Sequence, residues 1–509
     1  MSISILQHPQ VLMPAYNDIV FTVDSDNKNE CEFRYICDVY VENIFVERLK
    51  LFPDPVTGYA SFKLQGVLQD YISYDLHQNL YGSSLFSTND NTCKLYSLKF
   101  GEEYDNSSQC DAGTAVYSNL TVTGSYYVFN AALQYEQWLS WDYTDYETTN
   151  VLSKFLTNAP NKVLISKGSQ MTFNFVNSTT VDKLQVKTYD SSGSLIGTYL
   201  FDNSISFTNS QSRIMTMGVG PENLNNSTLL SGSQPIINAS VIYYTIQLLD
   251  ASNLPLSELK RIDIDNRKTV FTEHRFWWLN RWGGFDSYDY SMKDKRSVNT
   301  NRTFYNKLTG KFTSASPNGT WNYNIGDRGK TVLSVNANEL KVFNSNWLTE
   351  NESLWMEELF TSLEVYLSST NTIENFCNLS YSFDVETELY SVTIPVKEDY
   401  EIGENIFIDF GTDNYFSYLS GSYLADFVSP GYITVILGVN CVEFGSPPTC
   451  ILTGDFVFDG SIFRLNYVSK LDPVIIKSTT YEEKVKYRVK NIDYQIELEP
   501  SYSINIQRN

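Results

Sequence analysis

The chain has 509 residues and a mass of 58.2 kDa, room for about three to five domains at the usual size. Its 37 Lys and Arg stand against 59 Asp and Glu, a net charge of −22 that repels nucleic acid and anionic lipid and argues against a nucleic-acid reader. Aromatic residues at 15%, against 19% charged, exclude a disordered chain and favour strands.

The opening segment has no basic leader and no apolar stretch of seven residues before Pro9 and Pro14, so no secretory signal is expected there. Ile19, Phe21 and Val23 alternate with polar neighbours, the period of a half-buried strand. Asp24-Ser25-Asp26-Asn27-Lys28-Asn29-Glu30 has the alternating oxygens of half a calcium loop. Lys28 stands where a ligand is needed, however, and the glycine is missing, so a solvated turn is the expectation. Phe33, Tyr35, Cys37, Val39 and Val41 share one strand face, with Arg34 and Asp38 on the other. After the turn Pro53 to Gly58 and the strand through Ala60 and Phe62, the spacing of Leu64, Val67, Leu68, Tyr71 and Ile72 predicts a short amphipathic helix. Trp141-Asp142-Tyr143-Thr144-Asp145-Tyr146-Glu147 offers carboxylates beside rings, which suits either a carbohydrate platform or a sandwich core. Residues 1–158 are expected to be a β-sandwich with helical decoration.

A second sandwich of immunoglobulin-like or fibronectin-like size is expected over 159–266. Met171, Phe173 and Phe175 alternate, Leu184 and Val186 oppose Lys183, Gln185 and Lys187, and Asp190-Ser191-Ser192-Gly193 marks a turn between strands. The third unit, 267–371 plus 471–509, opens on the densest aromatic stretch, His274 to Asp286, where Gly283 and Gly284 end the element and permit close backbone approach. Thr349-Glu350-Asn351-Glu352 fits a capping box with Leu348 before it as a staple, and Leu354, Trp355, Leu359 and Phe360 continue as an apolar helix face. Tyr494, Ile496 and Leu498 alternate in the tail. Between the two halves, 372–470 reads as an inserted small β-barrel built on segments such as Ile402–Ile408 and Tyr432–Leu437. The longest apolar run, about eight residues from Tyr432, falls short of the roughly twenty that cross a bilayer as a helix, so no membrane insertion is expected. The fold class expected is thus mainly β, with several sandwich domains and few short helices.

Chemistry has little material. Three histidines, His8, His77 and His274, stand far apart, and no metal, nucleophile-elbow or zinc motif occurs, so neither a catalytic residue nor a cofactor or metal site is expected. Gly329-Lys330-Thr331 ends like a phosphate loop, but Asn324 stands where its first glycine belongs. Seven cysteines over this length do not resemble a disulfide framework. Cys441 and Cys450 flank a Gly-Ser-Pro-Pro turn and are placed to pair if oxidised. The aromatic segment, with Trp277, Trp278, Arg281, Trp282 and Phe285, has two readings: a buried core, or an interface anchor of the residue types that concentrate binding energy.

Several segments together carry a likeness. Pro14–Phe21, Phe33–Tyr40, Leu51–Tyr59, Trp278–Asp286, Ser345–Leu348 with the following helix, Pro473–Ile476 and Tyr494–Leu498 resemble virion structural proteins of crAss-like and related phages of Bacteroidetes. The resemblance implies a non-enzymatic tail component of a short-tailed phage, such as a hub, ring or adaptor subunit. It implies packing against copies of itself and against other tail or portal-proximal proteins, in a virion assembled in the host bacterial cytoplasm. The rivals are a carbohydrate-binding fibre or adhesin, which would contact host surface glycan, and a tail-borne glycan hydrolase.

Overall fold

The computed structural model describes residues 3–464 and 471–500, apart from short internal stretches of which the longest are 106–114, 410–420 and 437–453. Strands dominate, and the described residues hold four α-helices, Gln65–Leu68, Tyr135–Leu139, Pro221–Asn225 and Glu350–Thr361. None is long and apolar enough to cross a membrane.

In the N-terminal unit, strands Ser4–Gln7, Val20–Asp24 and Ala60–Lys63 form one sheet, and a second has six strands centred on Cys93–Asp105 and Cys31–Val41. Period-2 alternation puts Phe21 and Phe62 on the inner face of the first, where both meet Phe100 of the second at ring separations of 5.8 and 5.6 Å. The helical spacing after Leu64 becomes the helix Gln65–Leu68 and a 3₁₀ turn, Gln69–Tyr71, with Leu68 buried.

Five strands in the order Lys162–Ser166, Lys260–Asp265, Tyr243–Leu249, Lys183–Tyr189 and Leu195–Asp202 form one layer of the second unit. The Asp190–Gly193 turn joins the last pair in sequence, with Gly193 at φ +79° as its glycine requires. The other layer is Thr172–Val176, Ile214–Gly218 and Phe86–Thr88. That last strand comes from the N-terminal stretch, so one sheet is completed across the 158/159 boundary. Tyr244 ties the two layers, its hydroxyl donating to the Val219 carbonyl at 2.7 Å.

A seven-stranded sheet organises the third unit, in the order Phe285–Tyr290, His274–Leu279, Val365–Ser368, Leu471–Lys486, Val489–Pro500, Lys330–Asn344 and Lys295–Asn306. The chain leaves after Val365–Ser368 and returns in Leu471–Lys486, its hydrogen-bonded neighbour. The strands between pair among themselves as a second seven-stranded sheet running from Gly421–Leu424 to Phe427–Ser429. Among the described residues no hydrogen-bonded ladder joins its first and last strands, so they show a seven-stranded sheet and no closed barrel where a barrel was expected. Buried apolar residues run without a break from Leu85 through the second unit to Phe276, Trp278, Trp355 and Ile496, so the second and third units share one core.

Thr349 caps the helix Glu350–Thr361, its hydroxyl accepting from the Glu352 N–H while Glu352 accepts from the Thr349 N–H at 2.8 Å. Trp355, Met356 and Leu359 are buried, with Leu348 beneath the cap, but Leu354 is exposed. The apolar stripe therefore lies about one position round from the face expected of Leu354. Thr349→Ala should lower stability by about 1 kcal/mol, seen as a lower urea midpoint with an unchanged slope. An unmoved midpoint would mean that packing at Leu348 holds the helix end.

Candidate functional site

Strands His274–Leu279 and Phe285–Tyr290 form a hairpin whose loop is Asn280–Gly284. Asn280 shapes this loop, its side-chain oxygen accepting from the Trp282 and Gly284 N–H groups at 2.9 and 3.0 Å. The loop enters the N-terminal unit, where the Arg281 carbonyl accepts from the Ala132 N–H at 2.9 Å. Trp282 lies 4.7 Å from the Tyr146 ring and 5.8 Å from Trp141. Alternation sends Trp277 and Trp278 to opposite sheet faces. Trp278 packs on Trp355 at 5.2 Å, while Trp277 donates to the Ser368 hydroxyl at 3.3 Å. Phe285 meets Tyr74 and Tyr366 edge-on.

Trp277, Trp278, Trp282 and Phe285 are each at most 5% exposed, and Arg281 is half-buried. The aromatic segment thus takes the core alternative. Rings already covered by their own chain leave little face to anchor a neighbour, so the burial of Trp277, Trp278, Trp282 and Phe285 favours the core reading over the interface one.

Charged groups beneath this hairpin were missed in the sequence. Asp286 is buried and accepts from the Trp355 indole N–H at 2.7 Å and from the Thr157 hydroxyl at 2.7 and 2.9 Å. Glu358, on the buried side of its helix one turn from Trp355, accepts from the Asn158 side-chain amide, whose oxygen in turn accepts from Trp282 and Gln137. Burial, followed by the Asp286 charge, raises the Glu358 carboxyl from 4.5 to about 7, against the opposing pull of Asn158 and Arg281. Asp286 is raised too, chiefly by burial. Burial lowers Lys260, whose ammonium donates to the Ala159 carbonyl at 2.9 Å. On the same hairpin, buried Arg275 pairs with Asp289 at 2.7 Å, and Asp289 accepts from the Ser166 N–H at 2.8 Å. The sequence signals available were an Asp closing an apolar run and a Glu three residues after a helix tryptophan. This network joins three units through hydrogen bonds supplied by the chain itself, and its chemistry is that of a structural junction.

The reverse situation holds in the arm formed by Lys295–Asn306 and Lys330–Asn344. The two strands pair along twelve positions, about 40 Å at 3.4 Å per residue. Among the described residues only Lys341–Asn344 at the base also pairs with the body, through Gln495–Leu498. A small hairpin, Lys311–Thr313 with Thr320–Asn322, lies toward the tip. Along this ribbon large apolar groups face solvent, among them Leu308 at 83%, Tyr323 at 71% and Leu333 at 69% exposure, together with Phe304, Phe312 and Trp321. Two-stranded ribbons are marginal in water, so this one, with its exposed apolar side chains, is a candidate interaction surface. Lys330 and Thr331, part of the apparent phosphate loop, are simply the first residues of an arm strand.

Other sequence candidates fall into the scaffold. Trp141 is buried against Phe129, Tyr146 and Trp282, which fits the core alternative for this segment over the carbohydrate platform. Lys28 fills the would-be calcium loop by pairing with Asp24 at 2.9 Å, and no cluster of three or more metal-type ligands occurs among the described residues. Cys37 and Cys93 are free and buried, but Cys31 is disulfide-bonded, which residue spacing did not reveal. Cys441 and Cys450 lie outside the described residues. No protein-family model matches the chain, and no curated protein matches it at a significant level.

Proposed function

We propose that the chain is a structural subunit of a bacteriophage tail, a ring or hub component that positions neighbouring tail and portal-proximal proteins and transforms no molecule. The observation that carries this is the arm Lys295–Asn344, a protruding ribbon whose apolar side chains find no cover in their own chain. Permanent assemblies bury such surfaces against neighbours, and a rigid body made of interlocked sheets fixes where the arm points. The segment likeness to crAss-like phage virion proteins supplies the kind of assembly. The large acidic excess keeps the unassembled subunit soluble and away from packaged DNA. The glycan-binding alternative loses its best segment, since Trp141 and Tyr146 pack internally.

Mass spectrometry of purified virions, calibrated for copy number, tests the proposal. A fixed copy number consistent with a ring, and ring-shaped particles in negative stain, are expected. Absence from mature particles, or turnover of host polysaccharide lost on changing one acidic pair, overturns it.

A further inference from the structure

We infer that the arm of one copy docks on an acidic, apolar patch of the next copy, around the helix Tyr135–Leu139 and the turn through Leu152. This deepens the assembly role proposed above and rests on it. The first observation is charge. Between Lys295 and Lys341 the chain carries eight Lys and Arg against two acidic residues, a surplus of six, so the remainder must hold −28 for the total to be −22. The arm is therefore a basic projection on an acidic body.

The second observation is a matching surface. Around that helix and turn the exposed carboxylates are Glu136, Asp142 and Asp145, against one cation, Lys154, which pairs with Asp145 at 3.5 Å. Beside these carboxylates Tyr135 at 74%, Leu139 at 67% and Leu152 at 77% are exposed. Tyr135 and Leu139 are one helical turn apart and so share a face. The turn carrying Leu152 is tied to the segment that follows this helix by the Lys154 N–H donating to the Asp145 carbonyl at 2.9 Å. Arm and patch have the same composition of exposed rings and aliphatics with opposite charge, the pattern that fixes register and excludes wrong partners. Both stay exposed within one chain, so neither covers the other there. Aliphatic groups such as Leu308 and Leu333 suit a protein surface, whereas nucleic acid would meet the repulsion of the −28 body. Because arm and patch are different surfaces, the contact is heterologous and propagates into a closed ring or a filament.

The test uses the full chain with two exposed double substitutions, Lys307→Glu with Lys311→Glu on the arm and Glu136→Lys with Asp145→Lys on the patch. Sedimentation velocity of wild type should show concentration-dependent oligomers. Each variant alone should need at least about 100-fold more protein to associate, with circular dichroism unchanged. An equimolar mixture of the two variants should regain association, since the unaltered arm of one then meets the unaltered patch of the other, and the introduced glutamates meet the introduced lysines. Oligomers insensitive to both variants, or no regain on mixing, overturn the contact while leaving the assembly role standing. A wild-type chain that stays monomeric yet occurs at fixed copy number in virions assigns the arm to a different tail protein and likewise overturns it. Tight binding of duplex DNA by wild type, lost in the arm variant, would make nucleic acid the occupant instead.

Discussion

Gly283→Ala is expected to be among the most damaging single changes in the molecule, although it adds one methyl group. Gly283 sits at φ +79°, where an L side chain costs about 1–2 kcal/mol. A Cβ built there would lie 1.7 Å from the Asn130 carbonyl oxygen and 2.6 Å from its carbon. Those are backbone atoms of the N-terminal unit and cannot swing aside like a flexible side chain, so the two units must separate. Separation breaks the Ala132–Arg281 hydrogen bond and withdraws Trp282 from its contacts with Trp141 and Tyr146. The summed loss is on the order of 4 kcal/mol, in the range reserved for core disruption and backbone strain. Calorimetry should show the wild-type transition moved down and split, with the N-terminal sandwich melting separately. Gly66→Ala provides the control. Nothing lies within 4 Å of its added Cβ, inside the helix Gln65–Leu68, so it should stabilise by about 0.5–1 kcal/mol. Equal melting of Gly283→Ala and wild type would refute the proposed wedge.

The contrast between the hairpin and the arm explains what could be read from residues alone. Local rules carried well. The capping box at Thr349, the turn at Asp190–Gly193 and the alternation along Cys31–Val41 all appear where their spacing places them, because each depends on neighbours a few residues away. The Gly283–Gly284 pair likewise signalled a close approach, but not that Asn130 and Asn174 would be what approaches. The two possible uses of the tryptophans could not be separated. Core and interface demand the same thing of a ring, removal from water, and differ only in which chain does the covering. Long-range pairing was equally hidden. Nothing in Phe86–Thr88 announces that its partner is Ile214–Gly218, more than a hundred residues on. The arm escaped notice for a different reason, since its local basic surplus disappears in a total of −22. The inserted sheet showed its strands but not whether its edges meet, a property of twist and register that alternation leaves free.

Stability should fall as pH rises from about 4.5 to about 7, and Glu358→Gln should abolish most of that fall. In the folded chain the Glu358 carboxyl holds its proton up to about 7, whereas unfolded it releases it near 4.5. Between those values the folded state binds more protons than the unfolded one, so each step up in pH favours unfolding, and the loss levels off above 7. A shift of this size corresponds to about 3 kcal/mol. Asp286, raised by its own burial, adds to the slope in the same direction, with Lys260 nearby drawing it down. His274 works against it: burial lowers its pKa, so its contribution is present above 6.5 and lost as pH falls. Exposed Asp142, held low by the Thr144 hydroxyl and N–H, adds stability that disappears only in more acidic solution. Both of these act equally in wild type and variant, so the difference between the two proteins isolates the junction. Glutamine keeps the shape and can still accept from the Asn158 amide, and it removes the group that must either hold a proton or bury a charge beside Asp286. Denaturant midpoints from pH 4.5 to 8 should therefore coincide at the acid end and diverge in favour of the variant at the alkaline end. Parallel curves would mean that Glu358 is solvated, and that the polar junction between the three units is wetter than its burial implies.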